Sequence, residues 1–259
     1  VWKKHNNVVL HPANYGEHPP ELPAGAVVFI VDFSYPMDYL IDMAETATSI
    51  VVLDHHVSAV RRLEEQAGDQ LPKNVTLVLD TERSGARLAW DYMFGDELSV
   101  PNMVKYVEDR DLWRFQFGDN TRRFVRALMA RPFTVEAYDA VFEQADTKTI
   151  NEGAVLVASD ERHIEWHMEN ALRMVQFGGH LIPLVNAPKY LVSEITNILV
   201  QDHPMALAYH DTARGRLFRI TTSKKCGIDA AALAEQYGGG GHVNAAGFFV
   251  PRDHHMALI

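Results

Sequence analysis

The sequence predicts an α/β protein: an N-terminal domain with a mainly parallel sheet, a linker helix, and a smaller mixed α/β C-terminal domain. Three observations predict it. First, the runs Ala26-Val27-Val28-Phe29-Ile30-Val31, Ser49-Ile50-Val51-Val52-Leu53 and Val75-Thr76-Leu77-Val78-Leu79 are apolar and β-rich, and each ends in an acid, at Asp32, Asp54 and Asp80. Second, these runs alternate with helical stretches, the pattern of crossover helices joining parallel strands. Third, a long helical pattern over residues 149–177 separates them from a group of shorter strand-like and helical runs. The expected divisions are residues 1–148, a linker helix over 149–178, and 179–259.

Taken in order, the third apolar run leads through Thr81-Glu82-Arg83-Ser84-Gly85 into a helical pattern carrying Leu88, Trp90 and Met93. Asp80 at its end suits a turn or cap acid better than a ligand. Residues 106–115 pack acids, arginines and aromatics tightly, as Tyr106-Val107-Glu108-Asp109-Arg110-Asp111-Leu112-Trp113-Arg114-Phe115. This is either an ordinary helix surface or a segment whose carboxylate completes a metal site while an arginine balances charge or meets a phosphate. Residues 132–144, with Phe133, Tyr138 and Phe142, suit a packed helix more than a base-stacking platform. In the linker, Ile164, Met168, Ala171 and Val175 are spaced for one apolar face, and Gly178-Gly179 is expected to end the helix. Beyond it, strands are expected at residues 181–185, 205–209, 217–221 and 248–250, and helices at 192–199 and 228–237.

Two segments carry the chemistry. Asp54-His55-His56 follows a buried-strand pattern directly, and ligands of open α/β sheets gather at the carboxyl ends of strands. A carboxylate beside two imidazoles suits a transition metal; the alternative is a solvated loop that holds two of the 13 histidines. Gly238-Gly239-Gly240-Gly241-His242-Val243-Asn244-Ala245-Ala246-Gly247 joins a helical pattern to a strand. Successive glycine N–H groups can form a concave anion site, and a flexible linker is the competing reading.

Asp32, Asp54-His55-His56, Asp109 and Gly239-Gly240-Gly241-His242-Val243-Asn244-Ala245-Ala246-Gly247, in this order over nearly the whole chain, resemble the DHH phosphoesterase superfamily. The resemblance is closest to the branch with a DHH-associated C-terminal domain, which holds RecJ-like exonucleases, nanoRNases and phosphatases of adenosine bisphosphate. It implies a Rossmann-like first domain, an active-site cleft between two domains, and two Mn2+ ions. It implies that Asp32 bridges the metals, that His55 and Asp109 ligate one of them with Asp111 in reserve, and that Asp54 orients the site from behind. His56 is then expected to face the substrate phosphate. Gly239, Gly240, Gly241 and His242 would hold a phosphate or the sugar-phosphate end of a nucleotide. Lys224 and Lys225 would be possible further contacts, although surface solvation accounts for them better. Two ions about 3.5–4 Å apart can polarise a phosphoryl group, generate hydroxide at neutral pH and hold the leaving oxygen, so no protein nucleophile is needed. The mixed carboxylate and imidazole donors favour manganese over magnesium.

The family's first motif, a His followed by Asp residues after a first strand, has no counterpart before Asp32. Val1-Trp2-Lys3-Lys4-His5-Asn6-Asn7 is expected to be the tail of the helix following that motif, with Val8-Val9-Leu10 as the next strand, so that the chain begins inside the domain. His5 and His11 belong to no acid cluster and are poor substitutes. The expected activity is hydrolysis of phosphodiester or phosphomonoester bonds in short oligonucleotides or nucleotides. A polyphosphate or pyrophosphate hydrolase and a catalytically impaired nucleotide-binding homologue are the alternatives.

Composition narrows the partners. The 259 residues carry a formal net charge of -10, unsuited to general binding of long nucleic acid, which rests on Lys and Arg neutralising phosphates. A single cysteine, Cys226, excludes an internal disulfide, fits a reducing, cytoplasmic compartment, and has no obvious catalytic partner in sequence. No apolar run reaches the roughly 18 residues of a membrane span. A homodimer is possible.

Overall fold

The computed structural model describes residues 8–95 and 98–254. The chain forms two compact units, residues 1–157 and 158–259. In the first, three parallel strands, β1 (Val27–Val31), β2 (Ser49–Asp54) and β3 (Val75–Leu79), lie in the order β1-β2-β3. The helices α1 (Met37–Thr46) and α2 (Val57–Ala67) make the two crossovers, and α3 (Gly85–Phe94) follows β3.

The central strand shows why these residues build a sheet covered on both faces. Side chains alternate along a strand, so Ile50 and Val52 share one face with Leu40 and Met43 of α1 and Leu63 of α2. Val51 and Leu53 share the other with Leu88 of α3. Every residue of β2 from Ile50 to Asp54 is buried, as expected of a parallel strand with helices on both sides. Four helices complete the unit: α4 (Asn102–Asp111), α5 (Asp119–Met129), α6 (Val135–Glu143) and α7 (Asp146–Asn170), whose second half belongs to the other unit. Phe124, Leu128 and Val141 form their common core. The segment over residues 132–144 is a helix as expected, but Phe133 lies outside it and is 91% exposed.

In the second unit a six-stranded mixed sheet has the order β4-β5-β6-β7-β9-β8. The strands are β4 (Leu172–Phe177), β5 (His180–Asn186), β6 (Met205–Asp211), β7 (Gly215–Thr222), β8 (Gly240–His242) and β9 (Ala245–Pro251), with β5 and β6 the parallel pair. Helix α8 (Val192–Leu199) and Ile164 of α7 pack on Val185, Ala206 and Ala208. Helix α9 (Ala230–Glu235) packs on the opposite face with Ile182, Leu184, Phe218 and Phe248.

Two expectations are corrected. The helix expected to reach Phe177 stops at Asn170, and Leu172–Phe177 is instead a strand paired with β5. Val175 continues the helical spacing of Ile164, Met168 and Ala171 by coincidence. What decides is Gly178-Gly179, with φ of 55° and 79°, a two-residue loop whose positive φ values suit a hairpin that pairs Phe177 with His180. Val8-Val9-Leu10 is not a strand; Val9 and Leu10 are 91% and 61% exposed, so their apolar side chains find no sheet face to cover. The helix tail expected over residues 1–7, including His5, lies outside the described residues.

Candidate metal and phosphate site

Three strand and helix ends bring the first unit's polar residues together. Asp32 follows β1, and its N–H donates to the Leu53 carbonyl at 2.8 Å, extending the β1-β2 ladder by one bond. Its φ of 58° is unusual for a residue other than glycine and turns the chain at the sheet edge. His55 leaves β2, and Asp111 ends α4. The His55 Nε2 stands 3.0 Å from Asp32 Oδ1 and 3.3 Å from Asp111 Oδ2. The ligand atoms of these three residues all lie within 4.8 Å of one another. His55 is buried, whereas both carboxylates reach the surface. Two carboxylates and an imidazole converging at that spacing fit a divalent first-row metal.

The placement of Asp111 is electrostatically unusual. Helix C-termini favour cations, yet α4 ends Asp109-Arg110-Asp111. Asp109 is compensated by local donors: the N–H groups of Gln116 and Phe117 at 2.8 and 3.3 Å, and the Thr121 hydroxyl. It is buried and engaged in closing the loop after α4, in which Trp113 and Phe115 take positive φ. The structure therefore brings Asp111, and not Asp109, beside Asp32 and His55. Burial and the neighbouring Asp32 push the Asp111 carboxyl up, against the opposing pull of His55, His56 and Arg110.

Asp54 is wholly buried and bonds both histidines of the triplet. Its Oδ1 accepts from the His55 and His56 N–H groups at 2.7 and 3.2 Å and lies 2.8 Å from His56 Nδ1; its Oδ2 accepts from the Ser34 hydroxyl at 2.8 Å. The side chain that Asp54 orients is thus His56. Burial alone would raise Asp54, but the hydrogen bond and charge of His56, with Ser34, hold it at about 2. Burial alone would lower His56, and Asp54 above all, followed by Asp32 and Asp111, raises it. Tyr15 lies tilted against Phe33 with ring centroids 4.8 Å apart and meets the His56 ring edge-on at 6.3 Å. Tyr15 is half-exposed, and the partial desolvation of its hydroxyl, then the charge of Asp54, raises it. Ser34 stood two residues after a strand-end acid and could have been noticed for that; nothing in the sequence around Tyr15 singles it out.

Asp80 behaves as a turn acid, accepting from the Glu82 N–H at 2.8 Å and from Arg83 Nε at 2.7 Å. His11 is exposed.

In the second unit the glycine run has a structural use along its first half. The Gly239 N–H donates to the Ala234 carbonyl and the Gly238 N–H to that of Glu235, at 2.9 and 3.0 Å, with Gly238 at φ 72°. This is a Schellman closure of α9, and it occupies two of the N–H groups expected to cradle an anion. A Cβ at Gly239 would lie 2.1 Å from the Gly247 carbonyl oxygen, and one at Gly241 2.7 Å from that of Ala245. Gly240, Gly241 and His242 then form the edge strand β8 against β9. Lys224 and Lys225 are exposed. The Cys226 thiol donates to the carbonyls of Pro204 and Ser223 at 3.2 and 3.0 Å.

No protein-family model matches the chain. It is 25% identical over 232 residues to the uncharacterized protein R106 of Acanthamoeba polyphaga mimivirus, covering 85% of this chain and 52% of that protein. The chain thus spans about half the length of this curated relative. Among solved structures it is similar to the pGpG-specific phosphodiesterase PggH of Vibrio cholerae, at 12% identity and a TM-score of 0.38, over 88% of this chain and 93% of that one. It is also similar to an exopolyphosphatase-related protein of Bacteroides fragilis, at 12% identity and a TM-score of 0.40, over 90% and 68% respectively. At these values the two structures add nothing to what the site's own geometry supports.

Proposed function

We propose that the chain is part of a manganese-dependent phosphohydrolase acting on short oligonucleotides or nucleotides. The observation that carries the reading is the convergence of Asp32, His55 and Asp111 at the carboxyl ends of β1 and β2. These three residues would hold the metal. Held there, Mn2+ would supply Lewis-acid polarisation of the phosphoryl group and would acidify a water at neutral pH. The remaining work falls to the chain's own groups.

His56 is the group for the substrate phosphate. Asp54 holds its Nδ1 side, which directs Nε2 away from Asp54 and favours the charged imidazolium. A cationic donor of this kind can bind a phosphate oxygen or give a proton to the departing oxygen. His56 itself, with the Ser34 hydroxyl as a lesser donor, keeps Asp54 ionised, so the imidazolium has a fixed counter-charge. Asp109 supports Asp111 by closing the loop that follows it. In the second unit, Gly240, Gly241 and His242 remain our candidates for the nucleotide end, through the outward edge of β8. The acidic balance of the chain supports a short substrate over a long polymer.

The test is hydrolysis by the purified full-length protein with Mn2+ of a dinucleotide, adenosine bisphosphate and polyphosphate in parallel. Turnover of the dinucleotide or the bisphosphate is expected, and cleavage of polyphosphate alone would overturn the substrate assignment.

A further inference from the structure

Gly85 opens α3, immediately after the Ser84 cap whose hydroxyl accepts from the Arg87 N–H at 3.1 Å. Its own backbone does not call for glycine, since its φ lies outside the positive region. Alanine is the better helix former, so propensity does not call for glycine either. What the position lacks is room. A Cβ on Gly85 would lie 2.5 Å from both Cβ and Oδ1 of Asp32 and 2.7 Å from its Cα. Asp32 cannot simply retreat, because its N–H is tied to the Leu53 carbonyl and its φ of 58° is already a demanding conformation. Ser84 and Gly85 are both buried, so the helix start has little freedom to yield.

We propose that Gly85 is a positioning residue for Asp32: its bare Cα supplies the space in which the carboxylate stands 3.0 Å from His55. The inference rests on the metal-site reading above. A methyl group here pushes Asp32 away from the point where it meets His55 and Asp111, since the three atoms nearest to it all belong to Asp32.

The experiment is Mn2+ titration calorimetry on the full chain, with thermal unfolding of the metal-free proteins alongside. Gly85→Ala is expected to weaken Mn2+ binding by about tenfold or more, the scale of losing support around a ligand. Ser84→Ala removes the cap of the same helix without adding an atom beside Asp32, and is expected to keep the affinity. Wild-type affinity in Gly85→Ala, or an equal loss in Ser84→Ala, would overturn the role of Gly85 while leaving the metal reading intact. Absence of Mn2+ binding by the wild type would bring down both. Should Gly85→Ala not fold, the double variant D32G/G85A decides: recovery of cooperative unfolding supports a clash carried by Asp32, and continued failure to fold overturns it.

Discussion

Two acids two residues apart at the end of α4 divide their tasks, and the division is measurable. Asp111 faces His55, whereas Asp109 accepts three hydrogen bonds that shape the loop after the helix. Asp111→Asn is expected to lower Mn2+ affinity and phosphohydrolase activity by at least the roughly 10–100-fold that loss of a ligand's supporting partner costs, with little change in thermal midpoint. Asp109→Asn is expected to cost about 1–3 kcal/mol of stability, because it removes charge from a buried acceptor. Calorimetric melting beside Mn2+ titration separates them; equal metal affinity in wild type and Asp111→Asn would return the ligand role to Asp109. Asp54 gives a pH signature. Its pKa is held at about 2, below the ordinary 3.8, so its contribution to stability is present above about pH 4 and lost as pH falls towards 2. The raised pKa of His56 contributes in the opposite sense: fully below its unfolded value near 6.5, and lost as pH rises through the folded value. Asp54→Asn should therefore unfold at lower denaturant than wild type at pH 5–6, by about 2–3 kcal/mol for a buried charged pair. The gap should narrow on acidification towards pH 2, and a gap independent of pH would argue against the ion pair.

Elements meet where glycine allows backbones to touch. Gly153 of α7 has no space for a side chain, since a Cβ would lie 1.7 Å from the carbonyl oxygen of Arg123 in α5. Gly153→Ala must force the two helices apart at the core built on Phe124 and Ile150, and a loss of about 3 kcal/mol is expected from chemical denaturation. An unchanged midpoint would mean that the helices do not approach this closely. Helix α9 and strand β8 show the same economy, with Gly238 closing the helix and Gly239 passing against Gly247 and Phe248. Strands with a strong period-2 pattern or an unbroken apolar run were legible in the sequence, as were α8 and the segment containing α9. The end of α7 was not, because Val175 falls at helical spacing while Gly178-Gly179 can serve either as a helix stop or as a hairpin loop. Pairing with β5 settles which of the two it is.

At the scale of the molecule, a net charge of -10 makes a salt series a test of the short substrate proposed above. A substrate held by a metal and one or two donors makes few contacts that release counterions. Affinity for a dinucleotide should therefore fall by less than about tenfold between 50 and 200 mM salt, against the 10³–10⁵ lost by proteins making 6–10 phosphate contacts. A steep salt dependence measured by fluorescence anisotropy would indicate a long basic track that the composition does not suggest. Among the described residues, no helix is long and apolar enough to cross a membrane.

The α/β character, the three parallel strands and the strand-end acids follow from local pattern, because period and β-branching act over a few residues and survive in one dimension. Asp32 and His55 could be picked out on that basis. The choice between Asp109 and Asp111 could not, since both are acids in the last turn of one helix and differ only in what lies across from them. Nor could the pairing of Asp54 with His56, the use of glycines to cap α9, or the space that Gly85 leaves for Asp32. The approach of Asp111 to His55 and the space that Gly85 leaves for Asp32 depend on atoms brought together from segments far apart in sequence, a property of packing that no local pattern encodes, whereas the pairing of Asp54 with His56 and the closure of α9 are short-range contacts whose geometry residue order alone left open.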